Sequence, residues 1–380
     1  MAAVLKPIRR VVTGNDERGR SRVVWDGPAP SSHPGPIEGR GHTDLWVWYD
    51  NIPLLAGERD DGTLPYDFPG PALGGHLRII HATKYPDNLD PAKNSEIEPM
   101  HELTAAPSRR RWDRGRGMHK TETVDYGIVL SGERELILDD CTLLMKAGDI
   151  VCQIGAWHQW ASPKSECLMA FDMIAARFVD GPAGLAQGND KTIHPDPNLK
   201  LPDGVKPARR IVTIDTEDGK GSLISDGPAP DVRFDPARPG FASARLWVTD
   251  SAPSEIVFES LHLPHAIEPP KNGTVCRVVT FPPDDIWKGK VGSAEVEAFF
   301  SAMGSPGAST YSPSAPHPYM QKTQTVDFCF VLEGKITLVL DSEEVNLATG
   351  EVAILRGANH AWSNRSGNPA FVAISSHDGA

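Results

Sequence analysis

The stretch His119-Lys120-Thr121-Glu122-Thr123-Val124-Asp125-Tyr126-Gly127-Ile128-Val129-Leu130-Ser131-Gly132 decides the reading of this chain, because it is written twice. About 200 residues later it returns as Gln321-Lys322-Thr323-Gln324-Thr325-Val326-Asp327-Phe328-Cys329-Phe330-Val331-Leu332-Glu333-Gly334. Other pieces return in the same order. Pro7-Ile8-Arg9-Arg10-Val11-Val12-Thr13 recurs as Pro207-Ala208-Arg209-Arg210-Ile211-Val212-Thr213, Asp26-Gly27-Pro28 as Asp226-Gly227-Pro228, and Leu45-Trp46-Val47 as Leu246-Trp247-Val248. A period this long signals a duplicated domain rather than a solenoid. Residues 181–206 are rich in Gly, Pro, Asn and Asp, a linker composition. The expected division is an N-terminal unit over 1–180, a linker over 181–206 and a C-terminal unit over 207–380.

Around the repeated stretch the chain reads as short strands. Val124 to Leu130 and Arg134 to Leu138 are β-prone runs on either side of Ser131-Gly132-Glu133, which predicts a hairpin. Further runs follow in both copies, and many short strands at close spacing predict an all-β sandwich or barrel. The β-prone pieces in the first part of each copy are expected to add strands to the barrel. Helix is scarce. The best candidate is Ser293 to Met303, with Ser293 as N-cap and Gly304 as its end, and Asn94 to Ala105 is its expected counterpart. The 35 glycines and 34 prolines among 380 residues fit a turn-rich β protein.

A formal net charge of −12 argues against nucleic acid as a partner. No apolar run reaches the ~18–20 residues of a membrane span, and Met1 to Arg10 lacks the apolar core of a signal peptide. The five cysteines are an odd number without CxxC spacing, which reads as reduced thiols in a cytoplasmic protein.

With these residues in view, the chain resembles the cupin superfamily. Its first motif has His, a spacer, His, three or four residues, Glu, six residues and Gly. Here His119 takes the first position, Thr121 stands where the second His normally is, Asp125 takes the Glu position and Gly132 the Gly position. Gly148, Gly155 and His158 resemble the second motif. The later copy supplies Gln321, Thr323, Asp327, Gly334, Gly350, Gly357 and His360. The resemblance spans Met118 to Ile174 and Met320 to Ile374 and looks like a bicupin of the kind met in bacterial proteins and fungal polyketide clusters. It implies two tandem jelly-roll barrels with few short helices.

The chemistry can be read from the residues themselves. Side chains alternate along a strand, so His119, Thr121, Thr123 and Asp125 share one face. With His158 they offer two imidazoles and one carboxylate, the ligand set of a facial triad for Fe(II). Mn(II), Ni(II) or Zn(II) would serve equally, and the alternative is that no metal binds and Asp125 is structural. Gln321 replaces His119 in the second copy, so Gln321, Asp327 and His360 are expected to form a degenerate, metal-free pocket. Thr121, Thr123, Trp157 and Arg116 are the expected substrate contacts. Trp157 is singled out because Asn359 stands at its place in copy two. Arg116 belongs to the run Arg109 to Gly117, whose five arginines could draw a carboxylate or phenolate to the barrel mouth. Core packing and a solvated loop are the competing readings of the aromatics and the arginines. His76, His81 and His101 are read as structural or exposed.

The resemblance implies a metal-dependent enzyme acting on a small aromatic, enolic or polyketide-like carboxylate or phenol, with a dioxygenase first. A Lewis-acid or metal-independent lyase, isomerase or cyclase is the second reading, and a non-catalytic binding protein the third. A small-molecule substrate and a homodimer through edge strands are the expected partners.

Overall fold

In the computed structural model the described residues are 4–55, 59–64, 70–85, 109–115, 117–161, 163–178 and 192–380, with the backbone alone of 101–103. Strands dominate, and they assemble into two large sheets and three small ones. The large sheet of the first copy centres on Thr123–Ser131. It lies between Ile150–Ile154 and Cys167–Arg177, and beyond the latter come Gly75–Ala82, Gly41–Trp48 and Ser31–Pro34. The second copy repeats this order around Thr325–Glu333. Each large sheet faces a three-stranded one, Thr142–Lys146, Glu133–Ile137 and Gln159–Trp160 in the first copy. The result is a pair of jelly-roll barrels.

The glycine at the end of the opening stretch does not make the expected hairpin. Thr123–Ser131 pairs with Ile150–Ile154 and Cys167–Arg177, whereas Glu133–Ile137 pairs with Thr142–Lys146 and Gln159–Trp160. Gly132 is therefore a corner between two sheets. Its φ of 73° lies in the left-handed region, and a Cβ there would stand 2.2 Å from the Glu166 carbonyl oxygen. The same corner recurs at Gly334.

A second departure concerns the first part of each copy. Arg9–Asn15 pairs in parallel with Val352–Arg356 of the second copy, and Arg209–Asp215 pairs in parallel with Ile150–Ile154 of the first. The units thus exchange strands, and the boundary read at 1–180 follows the chain but not the sheets. Side chains confirm the exchange. Val11 is buried in the interior of the second barrel, and Ile211 in that of the first. Arg9 bridges Asp26 and Glu351, and Arg209 bridges Asp226 and Asp149 at the matching place.

Alternation along the central strand decides what each face meets. Val124, Tyr126 and Ile128 face the other barrel and pack with Trp46, Leu77, Trp247, Val326, Phe328 and Phe330 in one shared core. Tyr126 therefore points away from Asp125 as expected, and its hydroxyl lies 2.7 Å from Thr274 Oγ1. Val129 faces the barrel interior with Leu136, Met145, Val151, Met169, Phe171 and Met173.

The helix forms at Ser293–Ala302, but its N-cap is Gly292 rather than Ser293. Glu295 Oε2 accepts the Gly292 N–H at 2.9 Å, so the backbone of the glycine is capped by a carboxylate one turn on. Of the expected counterpart, residues 101–103 are a strand, which excludes helix there, and 94–100 and 104–105 lie outside the described residues. No helix among the described residues is long and apolar enough to cross a membrane. All five cysteines are free thiols.

Candidate functional site

His119 begins the short strand His119–Thr121, and His158 follows the Gly155 turn. The two are locked together by reciprocal backbone hydrogen bonds, each 2.9 Å, that form an isolated antiparallel bridge. Residues paired this way place their side chains on one face. The ring centroids are 4.5 Å apart, tilted by 55°. His119 Nδ1 lies 2.8 Å from the Gly117 carbonyl, and His158 Nδ1 lies 2.9 Å from the Ala156 carbonyl. Each Nδ1 therefore carries the proton and donates it, which leaves each Nε2 with an exposed lone pair. Burial and the nearby Arg111 charge hold His119 down to about 4. Burial, the companion ring and neighbouring arginines hold His158 well below the ordinary histidine range. Both rings are neutral at pH 7, the form that ligates a metal, and their carbonyl partners are the usual orienting contacts of metal-bound histidine. The pair fits two ligand positions of a divalent ion.

Asp125, expected as the third ligand, stands apart from the pair. Among the described residues it does not gather with His119 and His158 into a group whose ligand atoms lie within 4.8 Å of one another. It sits deeper, directly across the ladder from Gln153 and Met173, and the carboxylate is a carbon shorter than Glu. Asp125 is 3% exposed, and its Oδ1 has no hydrogen-bond partner. Burial pushes its pKa up to about 7, against the opposing effects of Thr123 and the Arg109 charge. Gln153 is also buried, with neither amide atom hydrogen-bonded. Unpaired polar atoms in a barrel interior are costly, about 1–3 kcal/mol each, and they fit a site that takes a polar ligand. Arg109 is buried beside them and donates from Nη2 to the Met173 carbonyl at 3.2 Å. Sequence reasoning missed Gln153. Its signal was a polar residue on the interior face of Ile150–Ile154 where copy two has Leu355.

The other expected contacts divide. Thr121 and Thr123 do lie on the shared buried face, but their hydroxyls satisfy one another at 2.7 Å. Thr323 and Thr325 do the same at 2.6 Å, so this pair is architecture common to both barrels. Trp157 does not line the interior. It is 1% exposed and belongs to the core between the barrels, under the Arg114 guanidinium at 4.0 Å. The period of two explains this: His158 faces inward, so Trp160 shares its face and Trp157 does not. Trp160 stands edge-on to His158 with centroids 6.1 Å apart and meets Phe171 at 5.5 Å, forming the aromatic wall beside the imidazoles. The arginine run is mostly spent in pairs, Arg110 with Glu122, Arg111 with Asp113 and Arg114 with Asp139. Arg116 lies outside the described residues.

In the second barrel Gln321 and His360 form the same backbone bridge, and Gln321 Nε2 lies 3.2 Å from His360 Nε2. The amide thus occupies the lone pair that the first barrel leaves open. Asp327 is buried nearby and its charge bears on His360. A cavity of about 50 Å³ next to Gln321 is lined by Arg238, Arg277, Tyr319 and Trp362.

Two further histidines were not singled out in the sequence. His33 and His42 stack at 4.7 Å beside Asp44, and burial with the Arg78 charge holds His42 down to about 4.

Two strand-exchanged jelly rolls, one of them with an imidazole pair inside, define a double-barrel β protein. No family model matches the chain. Phomopsin biosynthesis cluster protein D of Diaporthe leptostromiformis is 47% identical over 60 residues, which are 14% of this chain and 32% of that protein. A cupin-domain-containing oxidoreductase of Neurospora crassa is 35% identical over 81 residues, 20% of this chain and 41% of its own. The matches span about a third to two fifths of the length of these curated relatives. Among solved structures, a salicylate 1,2-dioxygenase from Pseudoaminobacter salicylatoxidans in complex with gentisate aligns at 12% identity with a TM-score of 0.37, covering 90% of this chain and 75% of its own. A cupin 2 conserved barrel domain protein from Leptotrichia buccalis aligns at 10% identity with a TM-score of 0.35, covering 80% and 84%. Over the segments matched by the curated relatives the chain is similar to cupin-domain proteins, and its fold is a pair of jelly-roll barrels.

Proposed function

We propose that the first barrel is a metal-dependent enzyme site for a small aromatic or enolic carboxylate or phenol, and that its reaction is an O₂-dependent oxidation of the dioxygenase type. The observation that carries this reading is the pair of neutral imidazoles, His158 buried and His119 half-buried, whose Nδ1 atoms are tied to carbonyls and whose Nε2 atoms are not. A divalent ion held there, Fe(II) first, supplies open positions for a chelating substrate and for O₂.

The chain's own groups do the rest. His119 and His158 would supply two ligands, fewer than a complete triad, which would favour a substrate with two adjacent oxygen donors. Trp160 and Phe171 offer a flat apolar wall beside His158 and keep water from that side. Asp125, whose proton leaves near pH 7, can hold or give up a proton within the interior. The Gln153 amide offers its NH2 as donor and its carbonyl oxygen as acceptor to a polar substituent. The oxidoreductase named among the curated relatives is consistent with this assignment.

The test is elemental analysis and oxygen uptake on protein purified without a histidine tag. About one divalent metal per chain is expected, falling to background in His119→Ala. The iron form should consume O₂ with hydroxylated aromatic carboxylates. Metal without O₂ uptake would point to Lewis-acid lyase or isomerase chemistry. Tight ligand binding with neither metal nor turnover would overturn the reading in favour of a binding protein.

A further inference from the structure

We propose that His33, His42 and Asp44 form a second divalent-cation site, on the Ser31–Pro34/Gly41–Trp48 hairpin of the first barrel, that takes a borderline transition ion such as Zn(II) or Co(II). It shares no residue with the His119 and His158 pair. The hairpin register puts His33 directly opposite His42. Asp44 lies two residues beyond His42, so strand alternation returns it to the same face. One oxygen is the common apex: His33 Nε2 is 3.3 Å and His42 Nε2 is 3.8 Å from Asp44 Oδ2. One ligand atom from each of the three lies within 4.8 Å of the others.

These separations are those of a coordination shell. At metal–ligand lengths of about 2.0–2.2 Å, two tetrahedral ligands stand about 3.4 Å apart. The two imidazole-to-carboxylate distances, 3.3 and 3.8 Å, bracket this value. Asp44 is already held for it, because Arg78 Nε donates to Oδ1 at 2.7 Å and turns Oδ2 toward the rings. The rings now stack at an interplanar angle of 27°, so one must rotate to aim its lone pair. His33, with a side chain 54% exposed, has room to do so. Two imidazoles and a carboxylate suit Zn(II), Co(II) or Ni(II) rather than Mg(II) or Ca(II).

The second barrel provides an internal contrast. Its matching hairpin carries Arg233 opposite Ser243, and Arg245 opposite Asp231. By register Arg233 stands at the place of His33, Ser243 at that of His42 and Arg245 at that of Asp44, and Arg245 Nε donates to Asp231 Oδ2 at 2.7 Å. The ligand set is therefore a property of copy one and not of the architecture.

Chelator-stripped full-length protein carrying His119→Gln, the arrangement copy two already uses at Gln321, is titrated with Co(II) by calorimetry and followed by visible d–d absorption. One equivalent with a tetrahedral or five-coordinate spectrum is expected. Adding His33→Gln should weaken it about tenfold or more, and adding His42→Gln should abolish it. His33 is half-exposed, so the metal-free melting curve of its variant should match that of the parent, and Co(II) should raise the melting temperature of the parent alone. Absence of Co(II) uptake, or uptake indifferent to His33→Gln, would overturn the proposal.

Discussion

Replacing Asp125 with Asn should remove a pH-dependent weakness from the first barrel. The carboxyl is 3% exposed with Oδ1 unpaired, and burial moves its pKa from 3.8 to about 7. The sign follows from proton counting. Between about pH 4 and pH 7 the unfolded chain has lost this proton while the folded chain keeps it, so stability falls as pH rises. Above about pH 7 both states are ionised and the penalty is constant. Each pKa unit corresponds to 1.36 kcal/mol, so about three units give an upper bound of about 4 kcal/mol. Asp125→Asn should therefore match the parent at pH 4 and exceed it by up to about 4 kcal/mol at pH 8. Urea unfolding of both proteins across that range, with identical buffers and metal removed, measures the gap. A gap that does not change with pH would mean that Arg109 and Thr123 keep the carboxylate ionised throughout, and the assignment of Asp125 as a proton-holding group would fail.

Three other outcomes follow from the same geometry. Gln321→His should install the missing imidazole opposite His360 and add up to one equivalent of bound divalent metal, read by elemental analysis. Lys120→Met should destabilise the fold by about 3–5 kcal/mol, because it leaves Asp215 buried without its ion-pair partner at 2.6 Å. Most of that loss should return in the double variant with Asp215→Asn, as seen by thermal or urea unfolding. Proteolytic cleavage engineered between residues 192 and 206 should leave two fragments that co-elute in gel filtration, since each barrel contains a strand pair from the other half. Fragments that separate under native conditions would contradict the strand exchange.

Much of the architecture was legible in the residues. The repeated Thr-Val-Asp stretch, its glycine and the returning flanks announced two β units, and alternation from His119 correctly sent Tyr126 away from Asp125. The pairing of His119 with His158 was also readable, as two histidines bracketing a strand series. What failed were inferences that treated neighbours in sequence as neighbours in a sheet. Ser131-Gly132-Glu133 looks like a hairpin turn, but Gly132 carries the chain from one sheet to the facing one. Trp157 looked like a pocket wall because copy two lacks it, whereas the inward face belongs to Trp160. Gln153 passed unnoticed because a single polar residue in an apolar strand carries no motif.

The linear order of residues settled what is local: side-chain alternation, the corner glycines, the duplicated unit and the types of ligand available. Tertiary structure decided what depends on contacts between distant segments. The crossing of Arg9–Asn15 and Arg209–Asp215 into each other's barrels is one such case, since a strand edge does not encode which partner it will meet. The fate of Asp125 is another. Its distance from the imidazoles is set by the twist and stagger of several strands together, so one spacing in the chain is compatible with both a ligand and a buried, half-titrated acid.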